Sequence, residues 1–82
     1  MHHVYILYSD PLGKYYIGST ADVERRTAQH NNLPEGFTKS GRPWRLVYVE
    51  DFGSKTDALK REKYLKRMKS RRFIEELIQK KS

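Results

Sequence analysis

No cysteine occurs in the 82 residues, so no disulfide can staple the fold and no thiolate can hold a metal. That suits a reducing compartment. No apolar run approaches the roughly 20 residues of a membrane-spanning helix, and Met1-His2-His3-Val4 runs straight into a strand pattern, so no signal peptide is expected. A cytoplasmic protein with no membrane partner is therefore expected. Acidic residues are scarce as well: 10 stand against 17 Lys and Arg, leaving a net charge of +7 and a pI near 9.8. Such an excess on a small body attracts polyanions, and nucleic acid is the commonest of these. Counterion release would supply much of the affinity.

What is present reads as one domain over residues 1–82, because a chain this short leaves no room for two. Its core has to be well formed, since small domains bury a modest share of their surface. His3 to Tyr8 is β-rich and stops at Ser9-Asp10-Pro11-Leu12-Gly13, where Asp and Pro open a turn and Gly13 closes it with positive φ. Tyr15-Tyr16-Ile17-Gly18 returns as a second strand, making a hairpin. Thr20 or Ser19 is placed to cap a helix over Ala21 to His30, with Asp22 and Glu24 in its first turn. Asn31 to Pro43 has no period and holds two Pro and two Gly, which predicts a mobile, substrate-facing loop.

Trp44 to Val49 is a third strand, and Leu46-Val47-Tyr48-Val49 is apolar on both faces, predicting cover on both sides. Ser54 with Asp57 opens a helix running to about Met68. Ser70 caps a last helix whose Phe73, Ile74, Leu77 and Ile78 form one apolar stripe. The predicted class is α+β: a three-stranded, mainly antiparallel sheet flanked by helices, in the order β-β-α-β-α-α.

Glu62 is the anomaly in this pattern. Ala58 and Leu59 precede it by four and three positions and Leu65 follows by three, so Glu62 falls inside an apolar stripe. Desolvating a carboxylate costs several kcal/mol unless a cation or donors compensate. The plainer alternative puts it at the edge of the stripe, paired with Lys66 on the next turn. Arg26 and His30 are also four apart and share a helix face, where a guanidinium and an imidazole can bind a phosphate and move a proton. An Asp22–Arg26 surface pair with His30 as a polar helix end is the competing reading. Of the six tyrosines, Tyr5 and Tyr16 share a face if the turn is a simple one at Pro11-Leu12, and separate if a bulge at Gly13 slips the register. No P-loop, HExxH or Ser–His–Asp constellation competes.

His3-Val4-Tyr5 followed by Tyr16-Ile17-Gly18 resembles the two halves of the GIY-YIG signature, with His3 standing where that family has its first Gly. The likeness continues through Arg26 and His30 to Ala58-Leu59-Lys60-Arg61-Glu62, and Phe37-Thr38-Lys39 with Arg42-Pro43-Trp44 is similar to the short single-domain bacterial branch. The resemblance implies a metal-dependent endonuclease hydrolysing DNA phosphodiesters, structured or damaged DNA included, with DNA favoured over RNA and the protein acting as a monomer. It implies that Glu62 holds one Mg²⁺ or Mn²⁺, that Arg26 clamps the scissile phosphate, and that Tyr5 is the general base with Tyr16 beside it. Gly18 would keep the cleft floor open and His30 would assist proton transfer. Lys39, Arg42 and Arg45 are the expected phosphate contacts. A non-catalytic nucleic-acid-binding module and a small interaction protein are the alternatives on the same fold.

Overall fold

Strand β1 (His2–Ser9) turns at residues 10–13 into strand β2 (Lys14–Thr20), and the turn is built as its residues dictate. Gly13 adopts φ 62° and its N–H donates to the Ser9 carbonyl at 2.8 Å, while the Leu12 N–H donates to Ser9 Oγ at 3.1 Å. The antiparallel register sets Tyr5 opposite Gly18 and Leu7 opposite Tyr16, with no slip. This places Tyr5 and Tyr16 on one face of the sheet. A computed structural model describes residues 1–32 and 39–81.

Strand β3 (Trp44–Phe52) pairs antiparallel with the other side of β1, giving the order β2-β1-β3. Helices α1 (Val23–Asn32), α2 (Lys55–Met68) and α3 (Arg71–Lys81) complete the predicted β-β-α-β-α-α order, with a short 3-10 turn at Lys39–Gly41. None of the described helices is long and apolar enough to cross a membrane.

Two cores explain why Val4, Tyr5, Ile6 and Leu7 are all buried. Val4, Ile6 and Tyr48 pack under Ala58, Leu65 and Ile74 of α2 and α3. Tyr5, Leu7 and Trp44 pack on the opposite face, with Tyr16, Val23 and Val49 around them. Burying each of these aliphatic side chains contributes roughly 1.5–3 kcal/mol. The doubly covered strand is thus β1 and not β3. Strand β3 lies at the sheet edge, and its register shifts beside Ile6/Leu7, so that Ile6 faces Tyr48 while Leu7 faces Leu46. Val47 is the extra residue of this bulge, and Leu46 is left 43% exposed.

Ser54 caps α2 by accepting from the Asp57 N–H, and Ser70 accepts from the Phe73 N–H at the start of α3. The start of α1 departs from expectation. Asp22 is its cap, its carboxylate accepting from the Arg25 N–H at 3.1 Å and its carbonyl from the Arg26 N–H. Thr20 belongs to β2 and instead accepts from the Asp22 N–H. The strand holds Thr20 in its ladder, so the next suitable side chain takes the cap.

Candidate catalytic site

The face of the sheet under α1 gathers four chemically active side chains. Tyr5 and Tyr16 project from neighbouring strands with ring centroids 6.3 Å apart. His30, near the end of α1 and 5% exposed, sets its Nε2 3.0 Å from the Tyr5 hydroxyl and its ring edge-on to Tyr16 at 4.6 Å. Arg26, one turn earlier on α1, lies beside both phenols and donates to Gln29 Oε1 at 3.0 Å. The hairpin register, the α1 start at Asp22 and the i,i+4 spacing together produce this convergence.

Electrostatics gives each group a distinct state. Burial pushes the Tyr5 phenol up to about 12; Arg26 opposes this, and the charges of Tyr16 and Glu62 add to it. Burial and then the Arg26 charge push the His30 imidazole down from 6.5, so it is neutral at pH 7 and able to accept a proton. Contact with Tyr5 raises the Arg26 guanidinium further above its ordinary value, against a smaller effect of burial.

Gly18 plays a different part from the one expected. It does not leave the floor open: the Tyr5 ring crosses directly over it, and a Cβ there would meet the Tyr5 hydroxyl at 2.5 Å and Cζ at 2.7 Å. Gly18 is the seat of the phenol. Close backbone approach of this kind is what an interior strand glycine permits.

Glu62 comes from α2, with its side chain 17% exposed. Oε1 accepts from Ser19 Oγ at 2.6 Å and Oε2 from Lys66 Nζ at 2.7 Å. Ser19 follows Gly18, so the carboxylate and the Tyr5 ring flank the same stretch of β2. The cation against Glu62 is therefore Lys66, its neighbour one turn along α2. The helix-local pair and the inward placement hold at once. Burial would raise the Glu62 carboxyl, but hydrogen bonds from Lys66 and Ser19, with the charges of Lys66 and His2, outweigh it and hold the pKa below 4.5.

Among the described residues no three His, Cys, Asp or Glu side chains gather as a metal cage. A single ionised carboxylate is nonetheless a hard donor of the kind that Mg²⁺ or Mn²⁺ accepts, with water and phosphate oxygens completing the shell. Each Glu62 oxygen accepts one of these hydrogen bonds and keeps further lone-pair capacity, so the donor fits the ion.

The expected phosphate contacts are not brought together. Arg42 is half-buried and its Nε donates to the His30 carbonyl at 2.9 Å, which makes it a brace for α1. Arg45 is exposed, but it pairs with Asp10 at 3.0 Å and lies 5.1 Å over the Tyr8 ring, away from the Tyr5–His30 cluster. Strand alternation turns it to the α2–α3 side, because its register partner is Tyr8. Lys39 opens the 3-10 turn, and its side chain, like residues 33–38 of the expected loop, lies outside the described residues.

Three contributors were not foreseen. Ser19 anchors Glu62. Asn31 clamps the start of β3, donating to the Trp44 carbonyl at 2.9 Å and accepting from its N–H at 2.7 Å. The Trp44 ring in turn stands edge-on to Tyr16 at 6.2 Å. Only Asn31 had a local signal, an amide side chain next to His30 at a helix end.

The chain is similar to known proteins along most of its length. The description "GIY-YIG catalytic domain" matches residues 1–75. A UPF0213 protein of Halobacterium salinarum is 41% identical over 70 residues, covering 83% of this chain and 88% of that protein. The structure-specific endonuclease subunit SLX1 of Meyerozyma guilliermondii is 41% identical over 78 residues, covering 87% of this chain but 26% of that protein. The solution NMR structure of a UPF0213 protein from Bacillus halodurans is 38% identical, with a TM-score of 0.57, covering 95% of this chain and 82% of that one.

Proposed function

The chain belongs to the GIY-YIG family, a family of nuclease type, and on that premise we propose that it hydrolyses phosphodiester bonds in DNA with the help of one divalent cation. The observation that carries this reading is the convergence of Tyr5, Tyr16, Arg26 and His30 on one face, with Glu62 flanking the same stretch of β2. The relative named as a structure-specific endonuclease subunit favours structured DNA as the substrate class.

The residues divide the work by their states. Glu62 would hold the ion, which when bound supplies charge stabilisation for the phosphate and the leaving 3′ oxygen. Arg26 meets the scissile phosphate and stabilises the charge that builds there. Tyr5 acts as the general base toward the attacking water. Its proton has an acceptor in the neutral His30 imidazole, and its phenolate has a counter-charge in Arg26. Positioned bases of this kind supply typically ~10²–10⁴-fold in rate. Tyr16 sits against both Tyr5 and His30 and orients them.

Glu62→Gln tests the reading. The amide keeps the shape and can still accept from Ser19, but it cannot hold a hard cation. Labelled flap, splayed and branched DNA incubated with Mn²⁺ should be cut by the parent and left intact by the variant, with DNA affinity changed less than about twofold because the surface Lys and Arg remain. A variant that cleaves as fast as the parent would make Glu62 structural and overturn the mechanism. Parent and variant that bind alike and both fail to cleave would leave a binding module on a nuclease fold.

A further inference from the structure

A second feature lies along β2 toward α2 and α3, with Tyr16 of the tyrosine cluster also in its lining. A groove of about 540 Å³ opens between β2 and the α2–α3 junction. Part of its wall is apolar: the half-buried Tyr15 and Ile17 face it, packed on the buried Leu65 and Ile74. The rest is basic: the exposed Lys14, Lys66 and Lys69 line it. Strand β2 is a sheet edge, so nothing in the sheet covers the groove on that side.

The charges here are not spent on one another. Lys14 and Lys69 make no side-chain hydrogen bond or ion pair with other described residues. Arg71, also in the lining, is committed: it pairs with Glu75, donates to the Gly13 carbonyl and lies 5.6 Å over the Tyr15 ring. Lys66 is shared, lining the groove while it holds Glu62 Oε2. The groove therefore leads to the carboxylate of the candidate site.

We propose that this groove binds a single-stranded stretch of the DNA substrate, with unstacked bases against Tyr15 and Ile17 and phosphates on Lys14 and Lys69. The chemistry selects this occupant. A duplex hides its base faces in the stack and presents phosphates and base edges, which would leave the apolar wall bare. An unstacked base offers a flat apolar face with a phosphate on either side, matching a wall of this mixed character. The proposal rests on the hydrolytic reading above and narrows its substrate to DNA with an unpaired segment beside the scissile bond.

The test is made on the full chain in EDTA, so that binding is read without cleavage. Lys14→Gln with Lys69→Asn removes both free charges, and Asn tolerates the left-handed backbone of Lys69, whose φ is 46°. Affinities for a labelled oligothymidylate, a blunt duplex of equal length and an abasic single strand are measured by anisotropy across a salt series. The double variant should lose about tenfold or more on the single strand, with a salt slope smaller by about 1.4, and change less than about twofold on the duplex. The parent should bind the abasic strand about fivefold more weakly than oligothymidylate. Unchanged single-strand affinity, an equal loss on the duplex, or indifference to the missing bases each overturns the proposal. If the binding pattern holds and no substrate is cut in Mn²⁺, the groove stands and the hydrolytic reading falls. If cutting holds and the pattern fails, the groove alone falls.

Discussion

Replacing Gly18 with Ala adds one methyl group at the point where the structure is least able to take it. In an unhindered strand position with ordinary backbone, Gly→Ala stabilises by roughly 0.4–1 kcal/mol, because the unfolded chain loses freedom. Here the new Cβ would lie 2.5 Å from the Tyr5 hydroxyl, 2.7 Å from Cζ and 3.0 Å from Cε1, where ordinary contact begins at 3.4 Å. Tyr5 cannot retreat easily: it is 1% exposed and its hydroxyl is bonded to His30. Overpacking of this type costs about 1–3 kcal/mol, and loosening the phenol–imidazole bond costs about 1 kcal/mol more. A net loss of about 2 kcal/mol in a domain of this size lowers the melting temperature by roughly 8–16 °C.

Thermal unfolding followed by circular dichroism measures this directly. A double-mutant cycle with Tyr5→Leu, which removes the hydroxyl, Cζ and Cε1, assigns the cause: in that background Gly18→Ala should cost less than about 0.5 kcal/mol. A variant that stays folded should also lose about 10²-fold or more in any cleavage, since the base would be displaced by roughly 1 Å. A Gly18→Ala protein melting within about 2 °C of the parent would refute the packing argument. So would an equal loss in both backgrounds.

Two further outcomes follow from the electrostatics. His30 has a folded pKa below 6.5, so the stability tied to its neutral form is present above that value and is lost as pH falls through the lower, folded pKa. Melting temperatures measured between pH 7.5 and 5 should therefore decline toward acid, and His30→Gln should flatten the decline; an equally steep profile in the variant would deny His30 that role. Lys66→Ala removes the cation that holds Glu62 Oε2, so the variant should bind Mn²⁺ up to about fivefold more tightly by calorimetry, the value expected for losing an exposed competing pair. Weaker Mn²⁺ binding in that variant would place the ion away from Glu62.

Local chemistry accounts for most of what was legible in the sequence. Asp, Pro and Gly in residues 10–13 define a turn by their backbone preferences alone. Ser54 and Ser70 mark helix starts, and apolar periodicity marks α2 and α3, because these signals act over a few residues. The inward position of Glu62 was legible for the same reason: it is a phase relation within one helix. The resemblance then joined Tyr5, Tyr16, Arg26, His30 and Glu62, which the chain itself keeps as many as 57 positions apart.

Tertiary structure decided what depends on distance through space. Turn chemistry allowed two registers, and the observed pairing of Tyr5 with Gly18 is the one that puts both phenols under α1. A bulge at Val47 and an edge position turned an apparently buried strand into one that exposes Leu46. Arg42 was drawn into bracing His30, and Arg45 was carried to the far face by strand alternation. The partner of Glu62 was settled the same way. Lys66 lies one turn along α2, so its contact survives any packing, whereas Arg26 had to be delivered by another helix on the other side of the sheet and is held by the tyrosines instead. Residue types and spacing could name the participants; which of them touch was fixed by the order β2-β1-β3 and by the absence of a Cβ at Gly18.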